Sequence, residues 1–104
     1  MKINIDTVVT DMLSAMKEVF SGGWKKVEPV VRQFVRNRKK RLEMLAEFYL
    51  NGEITQQELE QRLKEERTVF GAELEALKVA SKALTQKAAN RAIDVLSNAI
   101  KVLC

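Results

Sequence analysis

Six bases crowd into ten residues of this chain: Arg32, Arg36, Arg38, Lys39, Lys40 and Arg41. On one helix such a run can lie along phosphates and release their counterions, or meet an acidic protein or an anionic lipid surface. The surrounding asymmetry points the same way. Residues 1–41 carry ten Lys+Arg against four Asp+Glu, whereas residues 42–104 carry eight against ten. No recognition-helix pattern or set of stacking aromatics accompanies the run, so the plainer expectation is a solvated helix face, partly neutralised within the fold. Glu43 with Glu47, and Glu58 with Glu65, have helical spacings that can bring carboxylates together for acid/base or metal chemistry. They alternate with basic residues, Glu58 with Arg62 for example, as solvent faces do. The 104 residues contain no histidine, which excludes histidine-activated nucleophiles, the usual zinc sites and the Glu-x-x-His di-iron pattern. We therefore expect no enzyme, and assign no catalytic residue, cofactor or metal.

The single cysteine, Cys104, cannot form an internal disulfide, so a disulfide-stapled scaffold is excluded. Cys104 reads as an exposed terminal thiol; its alternative, an intermolecular disulfide, is opposed by a reducing cytosol. The N-terminal residues show no secretory pattern and no apolar window reaches membrane-spanning length, so a cytoplasmic location is the default expectation. The length suits one domain, taken as residues 1–104.

The elements that must position these residues are helices. Apolar residues recur at three and four, never in strand-like alternation. A first helix is expected over 6–21, capped by Asp6 or Thr7 and ended by Gly22-Gly23, with Val8, Val9, Met12, Leu13, Met16, Val19 and Phe20 as its apolar stripe. Methionines at such spacings are core filler. A second helix is expected over 25–51, with Pro29 near its start and the basic run at its centre. Trp24, between the diglycine and Lys25-Lys26, reads as a half-buried cap on the end of the bundle, or alternatively as an anchor for a partner.

The turn Asn51-Gly52-Glu53-Ile54-Thr55 carries three agreeing signals: a glycine past a helix end, a Thr55–Glu58 capping box and an Ile54–Leu59 staple. The segment from Leu42 to Leu63, with its glycine, Ile-Thr and following glutamate, resembles the helix–turn–helix of SHOCT-type bacterial domains over about a fifth of the chain; no function is carried over from that resemblance. Beyond it, Leu63, Phe70, Leu77 and Leu84 repeat every seven residues across Gly71. This predicts one long helix over 56–103, with a break near 81–85, capped by Thr85, as the alternative.

Placing the Gly52–Thr55 turn at the tip of an antiparallel hairpin sets Tyr49 against Leu59, Leu45 against Leu63, Phe34 against Leu74 and Val31 against Leu77. Arg38 then meets Phe70, and Arg41 meets Glu65 and Glu66. The last twenty residues extend past this hairpin with an apolar ridge: Leu84, Ala88, Ala92, Val95, Leu96, Ala99, Ile100 and Leu103. Either the ridge folds back to complete a three- or four-helix bundle, or another chain covers it. Leaving such groups wet forfeits about 1.5–3 kcal/mol per large side chain. The expected answer is all-α and self-associating, with a dimer favoured because closed cyclic dimers are the commonest assembly. The functional expectation is a non-enzymatic helical protein–protein interaction module that uses this ridge and Trp24. The alternative is a nucleic-acid-binding accessory protein that uses Arg32–Arg41.

Overall fold

Asn4, Thr55 and Ser81 set where three of the helices begin. Each side chain accepts a hydrogen bond from an amide that the helix itself leaves without a partner: Thr7, Glu58 and Leu84 respectively. The computed structural model describes residues 2–103, so the reading of Cys104 lies outside the described residues. The elements are α1 (Ile5–Phe20), a 3-10 turn (Ser21–Gly23), α2 (Trp24–Leu50), α3 (Gln56–Ala76) and α4 (Lys82–Val102). Among the described residues the chain is helices with short connections, and no strand occurs.

The Thr55 turn forms as the local chemistry requires. Thr55 Oγ1 accepts from the Glu58 amide at 3.1 Å, and Glu58 Oε1 accepts from the Thr55 amide at 3.0 Å. Those hydrogen bonds hold the Glu58 carboxyl below its usual range. Their contribution is therefore complete above the ordinary carboxylate range and is lost as pH falls through the lowered value. Gly52 takes φ +78° just past α2, a backbone conformation that glycine adopts at the least cost.

Three other boundaries differ from expectation. The cap of α1 is Asn4, not Asp6 or Thr7. The left-handed residue after α1 is Ser21, at φ 52°, while Gly22 and Gly23 continue the 3-10 turn into α2. Pro29 sits in the second turn of α2 rather than the first. There the missing N–H leaves the carbonyl of the exposed Lys25 to solvent.

The largest correction is to the long helix. Residues 56–103 form two helices, parted at Leu77–Ser81, and the cap is Ser81 rather than Thr85. Gly71 is not the break. It lies inside α3, where a Cβ would stand 2.1 Å from Gln86 Oε1, so it admits the α4 side chain that reaches over it. Gln86 Nε2 donates to the Arg67 carbonyl and to Asn90 Oδ1, each at 3.0 Å. Lys78 makes the reversal by taking φ 56°. Ser21 and Lys78 thus occupy conformations that cost L-residues about 1–2 kcal/mol. Ser21→Gly and Lys78→Gly are each expected to raise stability by about 0.5–1 kcal/mol, less than the full relief because glycine has more unfolded-state entropy to lose. Urea denaturation midpoints at constant m-value check this.

Each helix packs against its two neighbours in a ring, α1–α2–α3–α4–α1. The α3–α4 and α1–α4 seams are the most extensive, and α2–α3 the least. Ala88, Ala89 and Ala92 are fully buried on α4; side chains this small let neighbouring backbones approach closely. The core joins Met12 and Met16 of α1, Val31, Val35 and Leu42 of α2, Leu63, Phe70 and Leu74 of α3, and Ile93, Leu96 and Ile100 of α4. The radius of gyration is 13.3 Å, close to the roughly 13 Å of a compact chain this long.

Candidate functional site

Helical periodicity divides the basic run, because successive residues of α2 turn through 100°. Arg32, Arg36 and Lys39 face the groove between α1 and α2. Arg38 and Arg41 point to α3, and Lys40 is exposed. The six bases therefore do not form one patch.

On the α3 side, Glu66 is 3% exposed and takes both arginines. Arg38 Nη2 donates to Glu66 Oε2 at 3.0 Å, and Arg41 Nε donates to Glu66 Oε1 at 2.7 Å. Arg38 Nη1 also reaches both Glu73 oxygens, at 3.2 and 3.1 Å. The hydrogen bond and the charge of Glu66 raise the Arg41 pKa above its ordinary value. Beneath this network, Phe34 and Phe70 meet edge to face at 4.9 Å. The Arg38 guanidinium carbon lies 5.9 Å from the Phe34 ring centre and 5.3 Å from the Phe70 ring centre. The aromatic rings supply attraction on the face where Arg38 Nε has no hydrogen-bond acceptor. Arg38 and Arg41, read as possible nucleic-acid contacts, are thus neutralised by α3. Arg38 meets Phe70 and Arg41 meets Glu66, as the hairpin register requires, while Phe34 meets Phe70 edge to face rather than facing Leu74 alone.

The C-terminal ridge has a different fate from the one expected. Ala88, Ala92, Leu96 and Ile100 are all 0% exposed within the single chain. Leu84, Val95, Ala99 and Leu103 are partly buried against the same core. The reversal at Leu77–Ser81 lays α4 along α1 and α3, which supply the cover that the hydrophobic argument assigned to a second copy. Trp24 is 7% exposed and stacks on Phe20 with ring centres 6.2 Å apart. It is held within the fold and does not stand out as an anchor. The premise that this ridge is a free surface is therefore corrected.

What remains uncovered lies elsewhere. Among the described residues, the large apolar side chains left exposed are Val30, Met44, Leu77 and Val102. The first three line the α2–α3 seam. Val30 and Leu77 border a groove at one end with Pro29 and Phe34, and Met44 borders a groove of about 520 Å³ at the other with Leu45 and Phe48. Arg41 and Glu66 line the Met44 groove as well, and Arg38 pairs with Glu73 between the two ends. Sequence periodicity missed this seam because the hairpin register sets Leu77 against Val31, where it is expected to be covered. The detectable signal was the 14-residue interval between Val30 and Met44, about four helical turns, which returns to the same face.

A second groove, between α1 and α2, is basic. It is lined near the 3-10 turn by Lys17, Lys25 and Arg32, and farther along by Arg32, Arg36 and Lys39. Lys39 pairs with Asp6 at 2.5 Å and Arg32 with Glu28 at 2.6 Å. No carboxylate pairs with Lys17, Lys25 or Arg36 among the described residues.

Among the described residues, no cluster of three or more metal-ligating side chains occurs, and no helix is long and apolar enough to cross a membrane. No protein-family model matches the chain, and no match was found among curated proteins or solved structures.

Proposed function

We propose that the protein is a non-enzymatic helical interaction module, and that a second copy covers the α2–α3 seam. The observation that carries this reading is the placement of Val30, Leu77 and Met44, exposed by 43%, 45% and 46%, at the two ends of one seam. Their positions suit a twofold axis. Asn37 lies midway between Val30 and Met44 on the outward stripe of α2, so two antiparallel copies of α2 crossing at Asn37 set each Val30–Leu77 end on the partner's Met44–Phe48 end. One isologous contact then covers both apolar ends twice over.

The charge along the seam supports the same geometry. Arg38, Arg41 and Arg62 are matched by Glu65, Glu66 and Glu73, so the face carries no excess of one sign that would repel its copy. The C-terminal ridge contributes indirectly, by holding α1 and α3 together behind the seam.

Sedimentation equilibrium with reductant present, which removes any contribution from Cys104, tests the reading between 1 and about 200 μM. The expected mass approaches twice the 11.9 kDa of the chain. Val30→Glu and Met44→Glu should each raise the dimer dissociation constant at least about tenfold, or about 1.4 kcal/mol, while leaving the far-ultraviolet spectrum unchanged. A wild-type monomer across the whole range overturns it.

A further inference from the structure

We infer that the groove between α1 and α2 binds the phosphate backbone of a nucleic-acid duplex without reading its sequence. Lys17, Lys25, Arg32, Arg36 and Lys39 line it, against Asp6 and Glu28 as its carboxylates. The two carboxylates already pair with Lys39 and Arg32, leaving Lys17, Lys25 and Arg36 as three cations that no carboxylate pairs with among the described residues. The stretch of α2 from Lys25 to Lys39 is about 21 Å of helix, long enough to follow several successive phosphates of one strand.

The remaining lining suits phosphate as well. Ser14 and Ser21 place hydroxyl groups beside the cations, and hydroxyl and basic side chains together are the usual partners of backbone phosphates. The aromatic chemistry argues for a duplex over a single strand. Trp24 borders the groove but is only 7% exposed and stacks on Phe20, so it lacks the open ring on which single-strand binders stack bases. A lipid surface fits less well, because the exposed Val30, Met44 and Leu77 lie along the α2–α3 seam, not in this groove. The inference does not rest on the dimer: the groove and the seam occupy different flanks of α2.

Fluorescence anisotropy with a labelled 20-base-pair duplex of random sequence, from 20 to 200 mM NaCl, tests it. With about three to five phosphates contacted, log K should fall against log [NaCl] with a slope of about −2.7 to −4.5. The double variant Lys25→Glu/Arg36→Glu should lose at least about tenfold in affinity at 50 mM salt and flatten the slope by about 2. Lys64→Glu/Lys87→Glu changes the net charge equally at exposed positions outside the groove, and should stay within about threefold of wild type. Loss of the same size in both double variants overturns the groove, since attraction by net charge alone then accounts for binding. Absence of duplex binding at 20 mM salt overturns it too, as does binding to phosphatidylserine vesicles without binding to the duplex.

Discussion

Glu66→Ala is expected to lower stability by about 1.5–3 kcal/mol, because Arg38 loses one of its two carboxylate partners and keeps only the half-exposed Glu73. The Glu66 side chain is 4% exposed and that of Arg38 14%, so water cannot replace the lost carboxylate. Arg38 already has one buried nitrogen without a hydrogen bond, and truncation strands a second. Replacing both charges at once, Arg38→Met with Glu66→Leu, should cost far less than Glu66→Ala alone, because neither residue is then left charged and dry. Glu28→Ala serves as the exposed comparison. Its pair with Arg32 spans one helical turn at 36–39% side-chain exposure, and its loss should cost no more than about 0.5 kcal/mol. Urea denaturation at pH 7 measures all three. A cost below 1 kcal/mol for Glu66→Ala would show that the α2–α3 network is open to solvent.

Ala92→Glu is expected to unfold most of the protein. Ala92 is 0% exposed on α4, and α4 packs against both α1 and α3. A carboxylate there has neither room nor a partner. The penalty should exceed about 4 kcal/mol, a large part of the 5–15 kcal/mol that holds a typical domain together. Val102→Glu, on the same helix but 82% exposed, should be close to neutral. Circular dichroism separates the two accounts of the C-terminal ridge. A residue buried inside one chain loses the helical signal when charged, whereas a residue at a contact between chains yields a folded monomer. Full helicity for Ala92→Glu would return the ridge to the surface.

Both predictions concern residues whose roles could be only half read from the sequence. The basic run was visible, and hairpin register alone brought Arg41 to Glu66. That register did not show that Glu66 would be buried deeply enough to hold two arginines, because burial depends on how far α2 and α3 stand apart. The ridge residues Ala88, Ala92, Leu96 and Ile100 were recognised as apolar and in need of cover. By sequence alone their cover falls to another molecule, because no glycine or proline lies between Gly71 and Cys104 to announce a reversal. The seven-residue repeat through Phe70, Leu77 and Leu84 reinforced a continuous helix. In the fold, Leu77 is 45% exposed at the end of α3 and Leu84 is half-buried in α4, so that repeat runs across a turn and marks no shared face.

What the sequence by itself determined is what neighbouring residues decide among themselves: the helical class, the Thr55–Glu58 cap, the Gly52 reversal and the passage of α3 through Gly71. Each depends on contacts within about one or two turns, which composition and spacing record directly. Tertiary structure alone decided that Lys78 reverses the chain, that α1 and α3 cover α4, and that the open surfaces lie on the two flanks of α2. A left-handed lysine costs only about 1–2 kcal/mol, far less than the burial of Ile93, Leu96 and Ile100 returns. The packing of distant helices therefore overrides the local preference that would have continued the helix.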